Sequence, residues 1–300
     1  MEKIFNFDDI VKYTKNNLDF VQDYFKLIHL QNILGIFLIF LLGLACGKGF
    51  SNSSARIFLG FFVIFFSYSF CSIANDIYDL EIDRINSPNR PLPSGRIEIG
   101  LAKRLALINA LFTILCGIIG GATFVVCAIL MLIIGISYSF PRFKRLSDKS
   151  FLGWGLLVFA YYILPYFLGF SSILNFKISN FLMLSGIACI GGAKLFLKDF
   201  RDEKGDKECK KITPLIMMGK RKLFLLIYAL TVAGFIFILA FLKIKSVSFY
   251  VYMFISAYFF VYLMLLLKIQ NAEKVSKQKL FSLIINRLNL ALIILFIFFI

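Results

Sequence analysis

Asn75, Asp76, Asp79 and Asp83 open the stretch NDIYDLEIDRINSPNRPLPSG, which follows directly on the apolar run ARIFLGFFVIFFSYSFCSIA. A second acidic row, Asp199, Asp202 and Asp206 in KLFLKDFRDEKGDKE, repeats the three-then-four spacing of Asp76, Asp79 and Asp83. On a helix turning about 100° per residue, positions i, i+3 and i+7 fall within an arc of roughly 60°. Each row therefore points one way if its apolar run continues as a helix, and the two rows are expected to confront each other. Two unit charges about 4 Å apart repel by about 4 kcal/mol at an effective dielectric near 20, so six gathered carboxylates call for a counter-ion. The donors are all oxygen, with no His or Cys among them, which selects the hard cation Mg²⁺, commonly held through one or two carboxylates together with substrate phosphate oxygens. One ion on each row, with a diphosphate bridging the two, satisfies that charge pattern.

Basic residues nearby suit a diphosphate. Arg84, Arg90 and Arg96 follow the first row, and Lys194 and Lys198 precede the second. The segment YSFPRFKRLSDK, beginning at Tyr138, adds Arg142, Lys144 and Arg145. Guanidinium groups grip phosphate through two parallel hydrogen bonds, and ammonium groups act as point charges. Lys103, Arg104, Lys268, Lys274, Lys277 and Lys279 are read instead as orientation and lipid-headgroup charges. A single charged loop at a membrane face is ordinarily a solvated cap; two copies in matching register argue for more.

The elements that must carry these rows are membrane helices. The chain has 300 residues, is 60% hydrophobic, contains 37 Phe and has a mean hydropathy of +0.84. A water-soluble domain cannot hide that much apolar surface, so most of it faces lipid or other helices. Crossing the ~30 Å hydrocarbon core takes roughly 20 apolar residues. Nine such runs begin near Leu27, Ala55, Leu105, Gly121, Phe151, Phe181, Leu223, Val247 and Leu280. They predict an all-α polytopic membrane protein with nine transmembrane helices in a single domain over residues 1–300. Residues 1–26 form an N-terminal cytoplasmic segment, too acidic and too long for a cleaved signal peptide. Residues 76–104 and 194–222 are expected as cap loops carrying the acidic motifs.

Cytoplasmic loops retain Lys and Arg. Of the 33 basic residues, only Lys48, Arg56, Lys177, Lys243 and Lys245 fall on the opposite side, which predicts a cytoplasmic N-terminus and an external C-terminus. All 17 Asp and Glu share the cytoplasmic side, although the rule does not demand it of acids. The net charge of +16 is thus a topology signal, and no nucleic-acid partner is expected. The six Cys show no metal-binding spacing and are read as reduced and structural.

NDxxDxxxD followed by RPLPSG, a later KDxxDxxGD and a TP-x(4)-G tail, here ITPLIMMGK, resemble the UbiA-type intramembrane prenyltransferases over essentially the whole chain. The resemblance implies nine helices around a central cavity, with a cytoplasmic cap holding two Mg²⁺ ions and an isoprenoid diphosphate. By motif position it implies Asn75, Asp79 and Asp83 for the first ion and Asp202 and Asp206 for the second, the four aspartates being the catalytic set. Asp76 and Asp199 would orient Lys and Arg, with Asn32 and Tyr138 in the same supporting layer. Arg90, Lys144 and Lys198 would contact the diphosphate, joined by Arg84 and Lys194. The allylic C–O bond ionises as metal and basic groups stabilise the leaving diphosphate. An acceptor then captures the cation in a cavity kept free of water. The partners implied are a prenyl diphosphate donor, a hydrophobic or amphipathic acceptor and membrane lipid.

Family members usually carry an Arg-Pro pair in helix one, shortly before an Asn. KLIHLQN keeps the Asn as Asn32 but has His29 and Leu30 in place of the pair. His29, the one histidine, is read as a hydrogen-bonded interface residue or as a contact to diphosphate or acceptor. Pro88, Pro91, Pro93 and Gly95 break any helix and predict an ordered loop over the cavity. The motif endings look more like the subgroup that includes digeranylgeranylglyceryl phosphate synthase, chlorophyll synthase and homogentisate prenyltransferases than like the hydroxybenzoate or phosphoribose branches. That slightly favours a lipid-like or polar-headed acceptor over an aromatic ring. A terpene cyclase on the same scaffold, and an anionic-lipid transporter or binding protein, are the alternative readings. The second would be expected to have ionisable groups near mid-membrane, whereas here the acids cluster at one surface.

Overall fold

The computed structural model describes residues 18–47, 54–140, 146–148, 150–170, 176–272 and 275–299, and every regular element among them is helical. Helix α1 (Leu18–Leu27) meets α2 (Leu30–Cys46) at a 56° bend. The bend falls at His29, which sits in the left-handed region with φ 51°. Then come α3 (Ser54–Tyr78), the short α4 (Leu80–Asn86) and α5 (Ile99–Gly120). Gly121, at φ 88°, turns the chain directly into α6 (Ala122–Ser139). Helix α7 (Ser150–Val158) runs through a π-helical stretch, Phe159–Ile163, into α8 (Leu164–Gly169). Four long helices complete the bundle: α9 (Ile178–Glu208), α10 (Pro214–Ile244), α11 (Phe249–Gln270) and α12 (Val275–Phe299).

Among the described residues, eight of these spans are long and apolar enough to cross a membrane, and the bent α1–α2 pair makes a ninth. Their outer faces stay apolar and exposed, as at Leu107, Ile118, Tyr250 and Phe298, which is the surface lipid would cover. The nine expected runs are all found. α10 opens with a short segment from Pro214, where Thr213 Oγ1 accepts from the Ile216 amide at 3.4 Å and Pro214 takes the first helical position, and a break at Gly219 (φ 78°, ψ 162°) divides it from the membrane-length part, which starts close to the expected Leu223. Much of the expected loop 194–222 is helical, apart from the short link between α9 and α10 and the break at Gly219. At 31 residues, α9 is about 46 Å long. It outruns the hydrocarbon core, so its acidic end is carried beyond the apolar part.

Helices α2 and α8 touch backbone to backbone. A Cβ on Gly43 would stand 2.1 Å from the Tyr166 carbonyl oxygen, and one on Gly169 would stand 2.1 Å from that of Phe40. Small residues permit such close crossings in membranes. Gly43→Val is expected to destabilise the fold by about 2 to 3 kcal/mol, read as a lower thermal midpoint in detergent. Gly100→Val, whose Cβ meets nothing within 4 Å, is the control that should leave the midpoint nearly unmoved.

Candidate active site

The two acidic rows meet at one end of a cavity of about 1270 Å³. Walls come from α2, α3, α6, α7 with the π-helical stretch after it, α9 and α12, and α1, α4, α10 and α11 add residues. At the far end the lining is apolar, including Ile39, Ile187, Ile190, Ile238, Ile293 and Phe296. The chamber thus has a charged mouth and a hydrocarbon interior, a shape suited to a phosphorylated head with an apolar tail.

The first row survives a break in its helix. Tyr78 ends α3 and Asp79 precedes α4, yet Asp79 N donates to Asn75 O and Asp83 N to Asp79 O, both at 2.8 Å. The i to i−4 register continues through the break, so Asp76, Asp79 and Asp83 stay on one side, and all three are buried. The second row lies on unbroken α9, with Asp202 and Asp206 buried and Asp199 half-buried. Asn86 clasps the rows together: its Nδ2 donates to Asp202 O and its Oδ1 accepts from Gly205 N, both at 2.8 Å. A Cβ on Gly205 would approach the Asn86 amide to 2.6 Å, so this close approach of α4 to α9 requires glycine there.

Four of the acids lean on three cations. Arg90 Nη1 reaches Asp83 Oδ2 at 2.6 Å and Asp76 Oδ1 at 3.5 Å. Arg201 forks onto Asp202 through Nε at 2.7 Å and Nη2 at 2.8 Å. Lys211 Nζ lies 3.3 Å from Asp79 Oδ2. His29 Nε2 is 3.4 Å from Asp76 Oδ1, which ties the α1–α2 bend to the first row. Burial pushes the Asp83 carboxyl up, the Arg90 guanidinium draws it back, and Asp76 and Asp79 add to the upward push.

The proline-rich segment is an ordered loop at the mouth. Ser94 N donates to Arg90 O at 3.0 Å, Ile97 N to Pro91 O at 3.1 Å, and Gly95 takes φ 75°. Arg96 anchors it to α1 through Asp23 Oδ2 at 2.8 Å, so Arg96 serves the loop rather than the cavity.

Asn32, Asn75, Tyr138, Lys194, Lys198 and Asp199 all line the cavity. Arg84 does not. One residue past Asp83 on α4 it is turned about 100° away, and it pairs at 2.7 Å with Glu81 on the exposed face. The expectation that Arg84 binds diphosphate is corrected accordingly. An exposed ion pair contributes little, so Arg84→Ala is expected to keep steady-state turnover within about twofold of wild type. Arg142, Lys144 and Arg145 lie outside the described residues. Sequence reasoning missed Arg201, Lys211 and Asn86. Arg201 was legible as the neighbour of Asp202, whereas Lys211 reaches Asp79 only through the turn after α9.

Comparison with known proteins gives the family. The sequence profile of the UbiA prenyltransferase family matches residues 36–290. The chain belongs to the UbiA prenyltransferase family. It is an integral membrane enzyme that transfers prenyl chains. Among its relatives, digeranylgeranylglyceryl phosphate synthase of Methanocaldococcus jannaschii is 29% identical over 91% of this chain and 96% of its own length. The synthase of the same name from Methanococcus maripaludis is 30% identical over 72% of this chain and 76% of its own. A solved UbiA homologue from Archaeoglobus fulgidus, bound to DMAPP and Mg²⁺, superposes with a TM-score of 0.69 at 18% identity, covering 90% of this prenyltransferase and 99% of that chain.

Proposed function

We propose that this prenyltransferase moves a prenyl chain from a prenyl diphosphate to a hydroxyl group of a lipid bearing glyceryl phosphate, using two Mg²⁺ ions. The observation that carries the reading is the meeting of two largely buried carboxylate rows at the mouth of a cavity whose interior is apolar. The acceptor class is supported by the relatives' name, which describes prenyl chains on glyceryl phosphate. Donor and ion are supported by the neighbour that holds DMAPP and Mg²⁺.

The residues present fit a hard cation. Asn75 Oδ1, Asp76 Oδ2 and Asp199 Oδ2 are buried without a hydrogen-bond partner, and oxygen acceptors lacking donors are what such an ion satisfies directly or through its water. Among the described residues no three carboxylates are already gathered round one point. Asn75, Asp79 and Asp83 would hold one ion, and Asp202 and Asp206 the other. When bound, Mg²⁺ supplies positive charge against the departing diphosphate.

The protein's own groups do the remaining work. Arg90 and Lys198 bind diphosphate oxygens, with Lys144 joining from outside the described residues. Asp76 holds Arg90 and His29 in place, Asp199 steadies the α9 side, and Asn32 and Tyr138 complete the wall. The apolar interior takes the prenyl tail and keeps water from the allylic carbon. The C–O bond breaks with its electron pair leaving on diphosphate. The acceptor oxygen bonds the carbon, and its proton passes to the released diphosphate, the strongest base the reaction supplies. Positive charge in the adjoining loops supports a cytoplasmic position for this end, and α4, the proline loop and the α9–α10 link would form its cap within a single domain.

The test is an assay of purified enzyme with labelled prenyl diphosphates of several lengths, each with a glyceryl phosphate lipid or an aromatic acceptor, and products identified by mass. Transfer to the glyceryl phosphate lipid that requires Mg²⁺ is the expected result. Transfer to the aromatic ring alone, or a cyclised hydrocarbon made without any acceptor, would refute the reading.

A further inference from the structure

Lys194 occupies a different part of the cavity wall from the acids. It lies five residues before Asp199 on α9, about 7.5 Å along the helix axis. Its Nζ donates to Asn286 Oδ1 on α12. Among the described residues no carboxylate lies within ion-pair reach of it, and α12 contains no Asp or Glu along its whole length. Lys279, Ser282, Asn286 and Asn289 follow one another at three- and four-residue spacing and all line the cavity. One face of α12 is therefore a polar stripe about 15 Å long. At its deep end Asn289 is 9% exposed and accepts from the Tyr258 hydroxyl at 3.1 Å, while its Nδ2 has no partner.

This wall offers ammonium, hydroxyl and amide donors and no negative charge. A cation sunk in such a place with only neutral partners is costly unless an anion joins it. The diphosphate place is already served by Arg90 and Lys198 beside the acids, so a second anion is what the stripe lacks. The headgroup reading of Lys279 also changes, because its side chain borders the cavity rather than only the membrane surface.

We propose that Lys194, Lys279, Ser282 and Asn286 form a second anion subsite that holds the phosphate of the acceptor lipid, apart from the place of the donor's diphosphate. The proposal rests on the acceptor class put forward above. It assigns Lys194 to the acceptor instead of to the donor. With the phosphate on this stripe, the acceptor's hydroxyl can face the allylic carbon while its own tail lies along the apolar interior.

The experiment measures KM for donor and for acceptor separately, with a glyceryl phosphate monoether and with the same lipid lacking its phosphate. Lys194→Met and Asn286→Asp are expected to raise KM for the phosphorylated acceptor about tenfold or more, to move the donor's KM less than about threefold, and to erase the preference for the phosphorylated lipid. Lys279→Gln, at the mouth, should act in the same direction even if a deeper variant fails to fold. A matching rise in the donor's KM would return Lys194 to the diphosphate and overturn the proposal, as would an unchanged acceptor KM in all three variants. Wild-type enzyme that ignores both glyceryl lipids would instead refute the acceptor class itself.

Discussion

Asp79→Ala and Asp202→Ala are each expected to lower prenyl transfer by about 10³-fold or more, with diphosphate release lost in step and membrane insertion unchanged. The two aspartates sit on opposite rows, one at the break between α3 and α4 and the other on α9, and each is buried. Removing either takes away one of the two carboxylates assigned to the ion on its row. The fold has less at stake, because both side chains face the cavity and not the helix packing behind it. Asp79→Ala does remove the carboxylate that lies 3.3 Å from the Lys211 ammonium, so Asp79→Asn, which keeps an oxygen in place, separates lost metal from lost packing. Diphosphate release in a coupled assay, run beside the elution profile of each variant, makes the check. Turnover retained in both alanine variants would remove the metal assignment.

Arg90→Leu is expected to affect activity and stability together. Arg90 joins Asp83 and Asp76, and it is largely buried at 23% exposure. Taking one partner from a buried ion pair costs about 3 to 5 kcal/mol, since the other charge stays buried and uncompensated. The same guanidinium is placed to grip the diphosphate, so transfer should fall by about 10²-fold or more. Arg90→Lys keeps the charge but not the fork. It should recover most of the thermal stability and little of the turnover, and a lysine variant with full turnover would show that geometry at this position is unimportant. Excess Mg²⁺ should raise the midpoint of the leucine variant more than that of wild type, because the ion neutralises the carboxylates Arg90 has left.

Much of this arrangement was legible in the chain. Apolar runs of membrane length can be satisfied only as helices, so nine spans followed from length alone. The three-then-four spacing of the aspartates fixed one face, and it survived even where α3 breaks at Tyr78, because the i to i−4 hydrogen bonds carry the register across. Spacing fails where neighbours in sequence diverge in space. Arg84 follows Asp83 directly yet faces solvent, since one helical step turns it away. Lys211 could not be read as the partner of Asp79, because that contact depends on how the turn after α9 folds back. Lys279 carries no local mark that distinguishes it from a surface charge, and only the placement of α12 sets it beside Ser282 and Asn286 on the cavity wall. The clasp of Asn86 on Gly205 is likewise a product of how α4 and α9 pack, and no local pattern marks it.

The most direct test of two metal-bearing rows is an experimental structure of the enzyme soaked with Mn²⁺ and an unreactive prenyl thiodiphosphate, with the ions located by anomalous scattering. Two peaks are predicted, one between Asn75, Asp79 and Asp83 and one beside Asp202 and Asp206, with the thiodiphosphate touching both. Peaks elsewhere, or none while the analogue is bound in the cavity, would contradict the account.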